Sequence, residues 1–136
     1  MFATFNTEKW PILSVDLIDT PNDYTFNLYL ETLNFYLNNP QPFKFVINFL
    51  NLKSLPIKYV HGMVKFNREN KIIMKNKITE TMIICSRNYA KLINLGLSLI
   101  KPSNPVKISD SVTSDIYNKF YEHKIVQTNN IVINYE

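Results

Sequence analysis

Apolar and polar residues alternate along Leu13-Ser14-Val15-Asp16-Leu17. A period of two belongs to a half-buried strand, here Ile12 to Ile18. A shorter strand at Phe2 to Phe5 precedes it, across the polar turn Asn6 to Lys9. The period then changes: Phe26, Leu30, Leu33 and Leu37 recur at helical spacing. Thr20-Pro21-Asn22-Asp23 supplies the start of this helix, with Thr20 as cap, Pro21 in the first helical position and Asp23 reaching back as in a capping box. Asn38-Asn39-Pro40 stops it.

Phe43 to Leu50, aromatic and β-branched between Pro42 and Asn51, is the clearest strand. Pro56 opens a second helix through Ile57, Val60 and Val64. Charge gathers at Asn67-Arg68-Glu69-Asn70, and the pattern allows the helix either to run on through Ile73 or to stop and restart. Thr81 to Cys85 is a nearly all-apolar strand, the mark of burial on both faces. Asn88 to Leu95 is helical with Tyr89, Leu92 and Ile93 inward, extendable to Ile100 before Pro102. Pro105 to Ile108 is a further strand, and Ser109 or Ser111 caps a last helix with Val112, Ile116 and Phe120 on one face. Ile125 to Tyr135 is extended, with Asn129-Asn130 suited to a hairpin turn. Strands alternating with helices call for parallel neighbours joined by helical crossovers. The expected fold class is therefore α/β, one mixed, largely parallel sheet of about four to six strands with about four helices packed on it. The expected domain spans 1–124, followed by an extended tail or strand at 125–136.

At 136 residues, with 46% hydrophobic and 19% charged residues, the chain has the make-up of one folded domain and not of a disordered segment. Cys85 is the only cysteine, so no internal disulfide forms, and a reducing compartment follows. Met1 to Glu8 lacks the apolar core of a signal peptide, and no apolar run approaches the ~20 residues of a membrane span. A cytoplasmic protein with no transmembrane segment is expected. The net charge is +4, but the cations are nearly all lysine, with Arg68 and Arg87 the only arginines. Abundant Lys, Asn and Ile reflect A/T-rich codons as readily as a nucleic-acid partner. With two glycines in all, the chain has neither G-x-G-x-x-G nor a P-loop, which excludes nucleotide binding by those devices.

The element order and three local patterns resemble the STAS domain, the fold of anti-sigma factor antagonists and of sulfate-transporter C-terminal domains, in a divergent form. The likeness covers roughly residues 10 to 123. Phe45-Val46-Ile47-Asn48-Phe49 resembles the family's central strand, which commonly ends in Asp where this chain has Asn48. Asn51-Leu52-Lys53-Ser54-Leu55-Pro56 falls where the family has an Asp-Ser-Ser-Gly-like turn. Met82-Ile83-Ile84-Cys85, with Tyr89 to Leu97 after it, is similar to the third strand and its helix. The resemblance implies a domain that docks another protein through this turn and the helix after it. Asn51, Lys53, Ser54, Lys58 and His61 would then form the partner-binding surface. It also implies that Ser54 occupies the position at which phospho-regulated members accept phosphate. The surrounding turn departs from the pattern: Lys53 replaces Asp, Leu55 the second Ser, and Pro56 the Gly. Lys53 and a helix N-terminus favour a phosphate there, and Ser54 equally suits a loop serine assisting the cap before Pro56.

Other residues offer chemistry of different kinds. Cys85 at a strand end, followed by Arg87 and a helix, has the layout of a Cys-dependent sulfurtransferase or phosphatase. The phosphatase loop needs Arg where Lys91 stands, however, and small residues where Arg87, Asn88 and Tyr89 stand. A buried strand cysteine is the competing reading. His61 and His123 lack ligands at metal spacing, so neither a metal nor a cofactor is expected. Asp16, Asp19 and Asp23 cluster between a strand and a helix and would suit acid–base work or Mg²⁺, though Asp23 fits helix capping better. The stretch Lys65 to Lys77 is basic but lacks arginine forks and stacking aromatics, so sequence-specific nucleic-acid binding is not expected and a solvated helix face is. The expectation is a non-catalytic adaptor or regulatory domain whose partner is another protein. The alternatives are a structural subunit of a homo-oligomer or larger assembly using its C-terminal tail, and an enzyme centred on Cys85.

Overall fold

Among the described residues, five strands lie side by side in the order in which the chain makes them. The computed structural model describes residues 1–110. The expected last helix and the tail at 125–136 lie outside the described residues. Strands β1 (Ala3–Asn6) and β2 (Ile12–Leu17) pair antiparallel, with Ala3 opposite Leu17 and Asn6 opposite Ser14. Strands β3 (Phe43–Asn48), β4 (Ile78–Ile84) and β5 (Val106–Ser109) follow, each parallel to the one before. Four helices fill the connections: α1 (Asp23–Leu37), α2 (Ile57–Glu69), α3 (Lys71–Lys77) and α4 (Arg87–Ile100). The mixed, largely parallel sheet inferred from the alternation of elements is the one observed.

Sequential order places the helices. Parallel crossovers are right-handed, and each strand is added on the same side of the last, so successive helices fall on one face of the sheet. Leu13, Val15, Leu17, Phe45, Ile47, Ile83, Val106 and Ile108 point to that face and form the main core with α1. The alternate positions Ile12, Val46, Met82 and Ile84 make a second apolar cluster on the other face. All six residues of β3 are buried, Lys44 and Asn48 among them, so this strand is covered on both faces.

Several boundaries differ from the sequence reading or settle an alternative it left open, each for a local reason. Thr20 does not cap α1. Asn22 does: its side-chain oxygen accepts from the Thr25 N–H at 2.8 Å, and the Thr25 hydroxyl accepts from the Asn22 N–H at 2.9 Å. The reciprocal partner is thus Thr25 and not Asp23, and Pro21 sits before the helix. The buried stripe of α1 is Phe26, Tyr29, Leu33 and Leu37, with Tyr29 taking the place expected of Leu30. Strand β3 ends at Asn48 because the Asn48 side chain turns back to accept the Leu50 N–H at 2.9 Å. Its amide also donates to Asp16 Oδ1 at 3.0 Å; an Asp at 48 would set two carboxylates against each other, which favours the amide here. The second helix stops at Glu69 and restarts as α3, the break lying at Asn70, which directs both its N–H and its side-chain amide to Phe66 O. Strand β4 starts at Ile78, before the apolar run, because Glu80 is buried against Lys44 of β3 as an ion pair. Lys101 ends α4 in the left-handed region, φ 53°, with its N–H on Leu97 O, and Pro102 follows.

Candidate functional site

Parallel strands bring their carboxyl ends to one edge, where the crevice of an open α/β sheet usually binds. Here that edge carries the β2–α1 loop (18–22), the β3–α2 loop (49–56) and the first turns of α1 and α2. Phe49 and Leu52, each 6% exposed, anchor the longer loop in the core. Tyr59 and Val60 anchor the start of α2 in the same way. Between these anchors Asn51, Lys53, Ser54, Ile57 and Lys58 are exposed, and His61 is exposed one turn further on.

Cross-links fasten the two loops together. Lys53 Nζ lies 3.1 Å from Asp19 Oδ1. The Ser54 and Thr20 hydroxyls share a hydrogen bond at 2.8 Å. At the helix starts, Lys58 Nζ is 2.8 Å from Asp23 Oδ1, and Tyr59 Oη donates to the same oxygen at 2.8 Å. Asp19 reaches its partner from a left-handed turn, φ 60°, a conformation that Asp tolerates better than most residues. Ser54 therefore does not assist the cap of α2: Pro56 occupies the N-cap position, no side chain caps the helix, and the serine hydroxyl is directed to Thr20. The three aspartates do not converge either. Asp16 meets Asn48, Asp19 meets Lys53, and Asp23 meets Lys58 and Tyr59. Among the described residues no group of three His, Cys, Asp or Glu could hold a metal ion.

The hydrogen bond from Lys58, followed by that from Tyr59, holds the Asp23 carboxyl below its ordinary value of 3.8, and the same contact raises the Lys58 ammonium. Burial first, then the bond to Asp23, raises the Tyr59 hydroxyl. A carboxyl depressed in the folded state contributes stability above its unfolded value and loses it as pH falls through the folded one. The Asp23 tie is thus complete at neutral pH and is released only in acid, below about pH 4. A carboxyl-detected NMR titration should place the Asp23 midpoint below that of an ordinary aspartate. Lys58→Met should move it upward, and an unmoved midpoint would count against the contact.

Cys85 lies just beyond β4, 2% exposed, with its N–H on Ser109 O at 2.9 Å. Burial, with the Asp110 charge adding to it, pushes its thiol above the ordinary value, opposite to the shift that activates a nucleophile. Arg87 and Lys91 are exposed on α4. A thiol reagent at pH 7.5 should label unfolded chain at least about a hundredfold faster than native chain, given that thiolate and access set the rate. Comparable rates would restore Cys85 as a nucleophile. His123 lies outside the described residues. In the basic stretch, Arg68 spends its guanidinium on Leu99 O at the end of α4 (3.0 and 3.2 Å), and Lys77 donates to Asn39 O and Pro40 O beyond α1. Arg68 closes a helix carbonyl and Lys77 ties the loop after α1, while Lys65, Lys71 and Lys75 are exposed.

Asp19, Thr20 and Tyr59 are the site residues that sequence reading did not place with Ser54 and Lys58. Their pairing spans more than thirty positions, and no local pattern announces it. No helix among the described residues is long and apolar enough to cross a membrane. No family model and no curated protein matches the chain. Among solved structures it is similar to an uncharacterised protein of the DUF3478 family from Shewanella loihica, described as having a SpoIIAA-like fold. The two are 10% identical, and the likeness covers 86% of this chain and 90% of that one with a TM-score of 0.62. At that identity the likeness lies in the backbone, and the chain has the SpoIIAA-like, that is STAS-like, fold.

Proposed function

We propose that this chain is a non-catalytic interaction domain that docks a partner protein through the segment Asn51 to His61. One observation carries the proposal: the segment is pinned at both ends by buried Leu52, Tyr59 and Val60 and cross-linked to the β2–α1 loop, yet it presents a mixed surface. Lys53 and Lys58 supply charge, Asn51, Ser54 and His61 supply hydrogen-bonding groups, and Ile57, 58% exposed, and Leu50 supply apolar area. A pre-ordered surface loses little entropy on binding, and an exposed apolar side chain framed by polar ones suits a protein interface. The Ser54 hydroxyl is engaged with Thr20, and the neighbouring Lys53 ammonium with Asp19. Ser54 therefore acts as a tie between the loops, and docking is constitutive, without a phosphate switch. The fold alone names no partner.

Affinity capture from extracts of the source cells, followed by direct titration of the captured protein, tests this reading. Lys53→Glu with Ser54→Glu, and separately Ile57→Asp, should weaken binding about tenfold or more, the usual effect of losing an interface anchor, while circular dichroism stays that of wild type. Equal binding by both variants would remove the segment from the interface.

A further inference from the structure

The face of the sheet that carries the helices does not close completely. Phe45, Ile47 and Ile83 floor a cavity of about 160 Å³ whose walls include Val64 of α2, Met74 of α3 and Leu97 of α4. Protein interiors pack as densely as organic crystals, with few voids larger than a water molecule. Two features set this cavity apart from a packing fault. Tyr29 lines it, is 6% exposed, and makes no hydrogen bond through its hydroxyl among the described residues. A buried tyrosine hydroxyl ordinarily finds a partner. Gly96 also lines it, in the middle of α4 with no positive φ to require a glycine. A Cβ there would meet only Val64 Cγ2, at 3.9 Å. One of two glycines in the chain thus stands where alanine would favour the helix and would narrow the space.

We propose that this cavity binds a small, mainly apolar molecule about the size of a substituted benzene ring, with one polar atom that hydrogen-bonds the Tyr29 hydroxyl. The size follows from volume: an apolar cavity of ~150 Å³ engineered in another protein stays dry and takes benzene. A single water on Tyr29 would use about 30 Å³ and leave the apolar remainder empty. Asn67, Thr81 and the half-buried Tyr89 carry the other polar side-chain groups on the lining, and the Asn67 amide already donates to Met63 O at 2.8 Å. Leu55 and Val60 line the cavity from the buried side of the docking segment, whose exposed residues take no part in it, and the site goes beyond the interaction role.

Fluorine NMR titration with 4-fluorophenol and 4-fluorotoluene tests it. Wild-type protein should bind both saturably, the phenol more tightly. Tyr29→Phe should weaken the phenol about tenfold, one hydrogen bond's worth, and leave the toluene unchanged. Gly96→Leu should abolish binding of both at an unreduced melting temperature; if that variant unfolds, Gly96→Met serves instead, and the Tyr29→Phe comparison decides independently. No saturable binding of either probe to wild type, as expected of a cavity holding only water, would overturn the proposal. So would equal loss of both probes in Tyr29→Phe, or full binding in a folded Gly96→Leu protein.

Discussion

Lys44→Met is expected to destabilise the fold by about 3–5 kcal/mol, the usual consequence of removing one member of a buried ion pair. Glu80 is 5% exposed on β4 and Lys44 8% exposed on β3, and their side chains meet as an ion pair within the sheet. Methionine reproduces the aliphatic stem of lysine, so little packing is lost. What changes is charge: the Glu80 carboxylate keeps its burial and loses its cation. Such a group costs far more than the intact pair contributes, because desolvating two ions nearly cancels their attraction. Lys44→Met combined with Glu80→Leu should therefore recover most of the loss. Urea unfolding of the two single variants and the double one is the measurement. A loss under 1 kcal/mol in Lys44→Met would mean that water reaches the carboxylate, against the burial described.

Phe26→Ala should cost a similar amount, about 3–5 kcal/mol, as large-to-small changes of buried aromatics do. The Phe26 ring is 5% exposed, and its centroid lies 4.9 Å from that of Tyr59, 6.1 Å from that of Tyr29 and 6.3 Å from that of Phe2. It joins Phe2 at the entry to β1, α1 and α2 in one aromatic cluster, so its loss loosens three parts of the fold together. The same ring explains Gly62. A Cβ at 62 would stand 2.7 and 2.9 Å from Phe26 Cε2 and Cζ, closer than real side chains come. Gly62→Ala gains about 1 kcal/mol of helix propensity but forces the ring to shift, and overpacking costs about 1–3 kcal/mol. The net change should be destabilising. In a Phe26→Ala background the new methyl has room, and the same substitution should turn stabilising. A double-mutant cycle by chemical denaturation should return a coupling above about 1 kcal/mol; additivity would show that the ring is not what reserves the glycine.

The contrast between what was legible in the chain and what was not follows the range of the interactions. Leu13, Val15 and Leu17 alternate with polar neighbours, and that short-range signal placed β2 and its inward face without help. The nearly all-apolar run from Thr81 to Cys85 announced a strand buried on both sides, and Met82 to Cys85 are buried. Local rules failed where two of them competed: Thr20 and Asn22 are both good caps, and only the reciprocal fit of Thr25 decides between them. Tyr29 and Leu30 are both one turn from Phe26, and the aromatic contact with Phe2 settles which is buried. Glu80 hid the start of β4 because a buried acid looks like a surface one until its lysine, thirty-six residues earlier, is seen beside it. At the candidate site the pattern drew attention to Ser54 and Lys53, but their partners Thr20 and Asp19 belong to another loop. The cavity left no sequence signal at all, since its lining consists of residues that would look the same in a filled core.

The sheet's order bears on how the molecule comes to exist. Among the described residues every strand pairs only with the strand made just before it and the one made just after it. On a ribosome, each new strand emerges to find its neighbour already formed, and none must wait for a distant part of the chain or be inserted between two earlier strands. Closing loops of similar, modest length keeps the entropy of each step nearly constant. Assembly is therefore expected to run from the amino-terminal hairpin outward, one strand–helix unit at a time, with the unfinished sheet offering a single growing edge.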